Sequence, residues 1–160
     1  MIALNKHVAK IIPYKLVHSF KKILKYPDDE VFKLDWNEAT ISPSKKTLKA
    51  IKNFLDRKNG IHWYAAPESC KLKQKISEYT GLPQNQILVT NGSDQAHELV
   101  CNAYLQEGDE VIIPVPTYTN FKIWPLMRGA KIVEVPYEVQ SKCDISFFVK
   151  KISEKTKLIY

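Results

Sequence analysis

The chain has 160 residues, of which 44% are hydrophobic and 26% are charged, and its formal net charge is +7. This length suffices for one domain with a real core, and the composition excludes a disordered or low-complexity protein. No apolar run approaches the ~20 residues of a membrane-spanning helix, and the first residues lack a signal peptide's apolar block. We therefore expect a cytoplasmic protein without a membrane partner.

Short bursts of lysine carry the positive charge. They lie beside apolar residues at helical spacing, as on the solvated faces of amphipathic helices, and they form no single stripe. The chain has two arginines, and no nucleic-acid-binding motif accompanies the lysine bursts. We therefore expect no nucleic-acid partner, and a basic nucleic-acid-binding domain is the least favoured alternative.

The chain contains three widely separated cysteines: Cys70, Cys101 and Cys143. Their odd number and their spacing predict free thiols and no structural zinc site. The segment from His97 to Cys101 approaches the metal motif H-E-x-x-H, with a cysteine in place of the second histidine. No further cluster completes a ligand set, so we expect no metal. The segment instead predicts a helix with this apolar face: Leu99, Val100 and Ala103.

The chain changes character near residue 42. Residues 1–41 mix short apolar groups with turns, include a strand-like segment at 31–34, and are predicted to be an arm that lies across a larger body. A regular pattern follows. Ser42 is the predicted cap of a helix that begins at Pro43 and ends at Asn59-Gly60. A second helix is predicted over residues 67–80, with Gly81 as its end.

Strands and helices then alternate. The predicted strands are 87–90, 110–113, 131–135 and 157–160, and the predicted helices are 94–105, 120–127 and 144–153. Short strands with little polar alternation are typical of burial on both faces. This order predicts an open α/β sheet with helices on its faces, and the last strand is expected to be interrupted where the chain stops.

Two turns could carry chemistry, because ligands of open α/β sheets bind where strands end and helices begin. In the first, Asn91-Gly92-Ser93, backbone N–H groups at a helix N-terminus form a candidate anion site. Gly92 allows close approach, and the Ser93 hydroxyl adds a donor. Asp94 either belongs to this site or caps the helix. The residues alone leave both interpretations open, and no lysine follows at P-loop spacing.

The second turn, residues 114–118, follows the next strand. Two prolines fix its shape and would aim Tyr118 across the edge of the sheet. A rigid aromatic side chain beside an anion site suits a flat, phosphorylated ring. A packing role for Tyr118 in a proline turn is the alternative.

The segment from Ile87 to Asp94, followed by the Pro-Thr-Tyr loop at the expected distance, resembles fold-type I aminotransferases that use pyridoxal 5′-phosphate (PLP). The chain is most similar to the N-terminal part of histidinol-phosphate aminotransferases, from Ile12 to Tyr160. The resemblance implies an incomplete aspartate-aminotransferase-like fold. Residues 1–41 would form an arm or small-domain segment, and residues 42–160 the first part of the large PLP-binding domain. It also implies that the full-length enzyme is a homodimer.

The resemblance further implies roles for individual residues. The backbone amides of Ser93 and Asp94 would hold the PLP phosphate, with Gly92 opening the turn, and the ring of Tyr118 would stack on the pyridine ring. Tyr64 would reach the cofactor phosphate of the other subunit. Two further residues would lie near the substrate: Tyr14 and Asn37.

Two segments depart from the family pattern. Asn37-Glu38-Ala39-Thr40 replaces the usual Asn-Glu-Asn-Pro, and Tyr64-Ala65 replaces the usual Tyr-Pro. Both lie near the substrate entrance in the resembling family. They leave open whether the substrate is histidinol phosphate or that of a related sugar or amino-acid aminotransferase or decarboxylase.

The resemblance places three essential groups downstream of this sequence: the Schiff-base lysine, an acid against the pyridine nitrogen and an arginine for the substrate carboxylate. We therefore expect part of an aminotransferase that moves an amino group between an amino acid and a 2-oxo acid or oxo-phosphate. No catalytic residue is assigned, and we expect the 160 residues alone to be inactive. The alternative is a non-catalytic α/β module, or a remnant, that binds a phosphorylated ligand.

Overall fold

The computed structural model describes residues 2–12, 25–27, 37–58, 60–65, 69–137 and 144–160. Contacts divide the chain into two compact units, one of residues 1–15 with 90–160 and one of residues 16–89. The described helices and strands are, in order, α1 (Lys45–Leu55), α2 (Cys70–Thr80), α3 (Gly92–Tyr104), β1 (Glu110–Val115), α4 (Asn120–Met127), β2 (Lys131–Pro136), α5 (Ile145–Val149) and β3 (Thr156–Ile159). The predicted boundary between residues 41 and 42 stays a prediction.

The first unit is built on a three-stranded parallel sheet with the order β2-β1-β3. Glu110 pairs with Lys131 at one edge of β1, and Val111 pairs with Leu158 at the other. β-Branched residues fill the middle of β1 and favour the extended backbone. The predicted open α/β sheet is confirmed.

Helices cover both faces of this sheet. Val111 and Ile113 are fully buried on one face, where they join a core with Cys101 of α3 and with Leu105, which directly follows that helix. Ile112 is fully buried on the other face, against Phe148 of α5. Because successive strand side chains point to opposite faces, one short apolar strand supplies both cores.

The predicted strand at residues 87–90 is wrong. Ile87 has extended backbone angles, but no strand is formed there, and the Leu88 side chain is 68% exposed. A strand requires a hydrogen-bonded neighbour. Within the described part of the chain, the three paired strands are β2, β1 and β3.

The other strand and helix predictions of this unit are confirmed, and all but one of these elements have shifted ends. β1 and β2 extend two residues and one residue further than predicted. The helix predicted over 144–153 is shorter, since it covers Ile145–Val149 after a cap in which Asp144 accepts a hydrogen bond from the Ser146 amide. The helix predicted over 120–127 has the predicted bounds.

A short 3₁₀ turn, Val8–Lys10, lies in the same unit and is tied to it by polar contacts. Lys6 donates a 2.8 Å hydrogen bond to Glu107, and this contact and the lysine's charge hold the pKa of Glu107 below its ordinary value. The His7 ring lies against Gly129, where an added Cβ would approach it to 2.8 Å. Gly129 also has φ +78°, so the position requires glycine on two grounds.

The second unit contains α1 and α2. α2 ends at Gly81 as predicted, with φ +75° and an N–H that donates to Ser77. The predicted first residue of α2, at position 67, lies outside the described residues, as do the segment 31–34 and Cys143. No helix of the described ranges combines the length and apolar character needed to cross a bilayer.

The predicted cap of α1 is wrong by two residues. The helix begins at Lys45, and Ser44 rather than Ser42 is its cap, because the Ser44 hydroxyl accepts a 3.1 Å hydrogen bond from the Thr47 amide. The helix ends at Leu55, before the predicted end at residues 59–60.

Two serine variants test this cap. We expect Ser44→Ala to destabilise α1 by about 1 kcal/mol, because the Thr47 amide loses its acceptor. The matched variant Ser42→Ala should leave α1 unchanged. Hydrogen exchange at the Thr47 amide measures the difference, and equal exchange rates in the two variants would contradict the assignment.

Candidate functional site

The first candidate turn joins residue 90 to the start of α3. Gly92 has φ +75°, a left-handed backbone conformation that glycine adopts at little cost. The Gly92 N–H donates to the Thr90 carbonyl over 2.9 Å, and the Thr90 hydroxyl returns a hydrogen bond to the Gly92 carbonyl. These two contacts fix a tight turn directly before the helix.

α3 begins at Gly92, two residues earlier than predicted. Asn91 precedes it and makes no side-chain cap, while the Asn91 N–H donates to the Gln95 side chain over 2.6 Å. The N–H groups of the first turn have no acceptor inside the helix, so this end attracts an anion. Asn91 occupies the cap position and Asp94 lies inside the first turn of α3, so the interpretation of Asp94 as the helix cap is wrong.

The Asp94 carboxylate instead reaches the second candidate turn. Its Oδ2 accepts a hydrogen bond from the Tyr118 hydroxyl at 3.3 Å and another from the Asn120 amide at 2.9 Å. The Asn120 amide also donates to the Tyr118 hydroxyl over 2.7 Å. We call this triangle of Asp94, Tyr118 and Asn120 the Asp94 triangle. It joins the turn before α3 to the loop that follows β1.

Aromatic rings support the Asp94 triangle from behind. Tyr118 meets Phe121 edge-on, with 5.6 Å between ring centroids, and Phe121 stacks on Tyr160 at 4.8 Å. His97 packs against Phe121 at 4.7 Å. Such contacts each contribute about 0.5–1.5 kcal/mol beyond area burial and fix ring orientation. Tyr118 is 48% exposed, so about half of its surface is accessible to solvent while Phe121 packs against its ring.

Four buried side-chain atoms in the described residues lack a hydrogen-bond partner: Asp94 Oδ1, His97 Nδ1, Asn120 Oδ1 and Trp124 Nε1. All four belong to α3 or α4. A buried polar atom without a partner costs about 1–3 kcal/mol. These four atoms of α3 and α4 could therefore form hydrogen bonds that the described residues do not provide.

The predicted apolar face of α3 is wrong. Leu99 and Val100 are 39% and 40% exposed, whereas Cys101 and Leu105 are buried. Both faces of the helix carry apolar residues, and packing on the sheet selects the row that includes Cys101 and Leu105. Cys101 is a free thiol, as predicted, and so is the exposed Cys70.

The remaining predicted site residues belong to the second unit or fall outside the described residues. Tyr64 and Asn37 belong to the unit of residues 16–89, where the Tyr64 side chain is fully exposed. Asn37 has φ +53°, a conformation uncommon for a residue other than glycine. Tyr14 lies outside the described residues. The structure thus brings together Gly92, Ser93, Asp94 and Tyr118, all in the first unit.

Sequence reasoning missed Asn120, Phe121 and Tyr160. Asn120 lies two residues after Tyr118, at the predicted start of a helix that follows a strand. A polar residue at such a position could have been recognised as a candidate, because ligands of open α/β sheets bind where strands end and helices begin. The two aromatic residues follow apolar patterns that predict only a core. Their stacking depends on how α4 and β3 pack, which no local pattern contains.

The two cysteines that the structure describes, Cys70 and Cys101, should differ in reactivity. Burial raises the pKa of Cys101, against smaller lowering effects of the Tyr160 hydroxyl and the Arg128 charge, so less of this thiol is ionised at pH 8. We expect alkylation of Cys101 to be on the order of a hundredfold slower than that of exposed Cys70. Mass spectrometry of the separated peptides measures both rates. Denatured protein is the control, in which the rates should converge; equal rates in the native protein would contradict the prediction.

Comparison with known proteins gives a consistent result. The family described as aminotransferase class I and II matches residues 29–160. A dihydroxyacetone phosphate transaminase of Campylobacter jejuni is 34% identical over 158 residues, which are 98% of this chain and 42% of that protein. A histidinol-phosphate aminotransferase of Methanocaldococcus jannaschii is 27% identical over 97% of this chain and 42% of its own length. The chain thus spans about two fifths of these relatives.

Solved structures agree on the fold. A mutant of Thermus thermophilus aspartate aminotransferase superposes with a TM-score of 0.79 at 22% identity, over 99% of this chain and 44% of its own. A histidinol-phosphate aminotransferase from Sinorhizobium meliloti, solved with PLP, gives a TM-score of 0.59 at 25% identity over 65% of this chain and 27% of its own. The chain therefore belongs to the class I and II aminotransferases and forms part of their aspartate-aminotransferase-like fold.

Proposed function

We propose that this chain is the cofactor-binding portion of a PLP-dependent aminotransferase that moves an amino group between an amino acid and an oxo-phosphate. The observation that carries the proposal is the hydrogen bond from the Tyr118 hydroxyl to Asp94. It holds an anion-attracting helix start and a flat aromatic ring side by side. A phosphorylated aromatic cofactor requires both features at one edge of the sheet.

The residues at this edge fit such a cofactor. The Ser93 and Asp94 amides lie in the first turn of α3, which no side chain of Asn91 caps, and they suit a phosphate. Apart from its chain neighbours and the backbone of α3, no atom of the described residues lies within 4 Å of a Cβ placed on Gly92, so the backbone is accessible to a ligand there. The half-exposed Tyr118 ring offers a surface for stacking. When bound, PLP supplies the electron sink for amino transfer.

The proposed substrate follows from the relatives and from the departures in sequence. The names of the two relatives above each contain a phosphorylated compound, dihydroxyacetone phosphate in one and histidinol phosphate in the other. Asn37-Glu38-Ala39-Thr40 differs from the histidinol-phosphate pattern near the substrate entrance. We therefore propose an oxo-phosphate and assign Asn37 and Tyr14 to its binding. The resemblance to the family, in which these two positions lie near the substrate, supports this assignment.

We further propose that the complete enzyme is a homodimer in which Tyr64 reaches the cofactor phosphate of the other subunit. Its fully exposed side chain supports this role, since an exposed tyrosine has area to bury in a partner. No catalytic residue is assigned to this chain. The turns at 91–95 and 114–119 contain no lysine, so we propose that these 160 residues bind the cofactor without amino transfer.

A proline variant tests the phosphate role of the backbone. Ser93→Pro removes one N–H from the first turn of α3, where proline is tolerated. We expect it to weaken binding of pyridoxine 5′-phosphate by about tenfold, because a charge-assisted hydrogen bond is lost. This probe carries an alcohol in place of the PLP aldehyde and so cannot condense with lysines. Isothermal titration calorimetry measures the affinity.

Ser93→Ala is the matched control, because it keeps the N–H and removes only the hydroxyl. We expect it to weaken binding by no more than about threefold. Equal affinities of the proline and alanine variants would contradict backbone recognition of the phosphate. Turnover of an amino acid by the purified chain would contradict the proposal that it is inactive alone.

A further inference from the structure

The Asp94 triangle contains buried polar atoms that do not stabilise the packing of α3 against α4. Asp94 Oδ1 and Asn120 Oδ1 are buried without a partner, and each such atom costs about 1–3 kcal/mol. Apolar side chains of similar shape would avoid both costs. Stability alone therefore does not account for this pair of residues, and their hydrogen bonds to Tyr118 become the feature to explain.

The geometry shows what the triangle does to Tyr118. The two N–H groups of the Asn120 amide serve two acceptors, Asp94 at 2.9 Å and the Tyr118 oxygen at 2.7 Å. The Tyr118 hydroxyl then has its own proton free to donate to Asp94. The tyrosine oxygen is thus held by one donor and one acceptor at the same time, which fixes the end of its ring.

The other end of the ring is fixed by packing. Phe121 meets the Tyr118 ring at an interplanar angle of 89°, and it follows Asn120 directly in α4. One short segment of α4 therefore supplies both the polar contact and the aromatic support. A half-exposed tyrosine would otherwise sample several rotamers, and fixing them in advance lowers the cost of binding a flat ligand.

We infer that Asn120 is a positioning residue that, together with the Asp94 side chain, holds Tyr118 in the orientation needed to stack on the cofactor ring. This inference rests on the proposed function for the identity of the ligand. It adds a role for a residue outside the two turns and a side-chain role for Asp94 beyond its backbone amide. Asn120 acts through Tyr118 and touches no reacting atom.

Two variants disrupt the Asp94 triangle at different residues. Asn120→Ala deletes the amide, and Tyr118→Phe deletes the hydroxyl but keeps the ring. We expect each to weaken binding of pyridoxine 5′-phosphate by about three- to tenfold, because the ring is no longer oriented in advance. The double variant should bind pyridoxine 5′-phosphate as tightly as the single variant with the lower affinity, because both substitutions remove the same contact. Asn102→Ala, at an exposed position of α3, is the matched control and should bind as the wild type.

A second readout separates positioning from general loosening. The circular dichroism of the bound pyridine ring reports its orientation against Tyr118, and we expect it to fall in both variants at saturating ligand. In unliganded protein with ¹³C-labelled tyrosine rings, the Tyr118 resonance, identified by its loss in Tyr118→Phe, should move in Asn120→Ala. If Asn120→Ala fails to fold, Tyr118→Phe still provides the affinity and dichroism tests.

Each outcome decides the inference. An unmoved Tyr118 resonance in Asn120→Ala, or wild-type affinity and dichroism in both single variants, would overturn it. Additive losses of affinity in the double variant would also overturn the inference, because two independent effects would not arise from one shared contact. If the wild-type chain binds no pyridoxine 5′-phosphate, the proposed function fails, while the Tyr118 resonance still decides whether Asn120 holds the tyrosine.

Discussion

Strand β1 is hydrogen-bonded along both edges and buried on both faces, with Val111, Ile112 and Ile113 fully excluded from solvent. Burial of each such side chain stabilises the fold by about 1.5–3 kcal/mol. A shift of one residue would exchange the two faces, so the register of β1 is strongly fixed. The loop after β1, and with it Tyr118, is thereby fixed relative to α3, which packs on the same strand.

The site depends on that register and on an electrostatic balance at the start of α3. An acidic side chain in the first turn is stabilised by the helix dipole, but it would also repel an incoming phosphate. The Asp94 carboxylate accepts hydrogen bonds from Tyr118 and Asn120, which hold its Oδ2 at the loop after β1 and at α4. The same contacts hold the Tyr118 hydroxyl. The proposed phosphate position and the proposed stacking position are thus joined through the side chain of Asp94.

The sequence predicted the features that depend on local chemistry. The glycine turn at Gly92, the loop ending in Tyr118 and the helix over 120–127 all follow from residue types at fixed spacing. The predictions that were wrong concern which segments pair or pack with one another. Residues 87–90 have the composition of a strand but no paired neighbour among the described residues. Both faces of α3 carry apolar residues, and packing against the sheet buries Cys101 and the adjoining Leu105. The role of Asn120 required the distance between α3 and α4, which no local pattern supplies.

The central claim is that one edge of the sheet binds a phosphate at the start of α3 and a planar ring at Tyr118. The most direct test is a nuclear magnetic resonance titration of the ¹⁵N-labelled chain with pyridoxine 5′-phosphate, and with pyridoxine as the control. We expect the largest amide shifts at residues 92–95 and at Tyr118, with the first group responding only to the phosphorylated probe. Shifts spread over the lysine bursts at 45–46 and 150–151, or the same shifts with both probes, would contradict the claim.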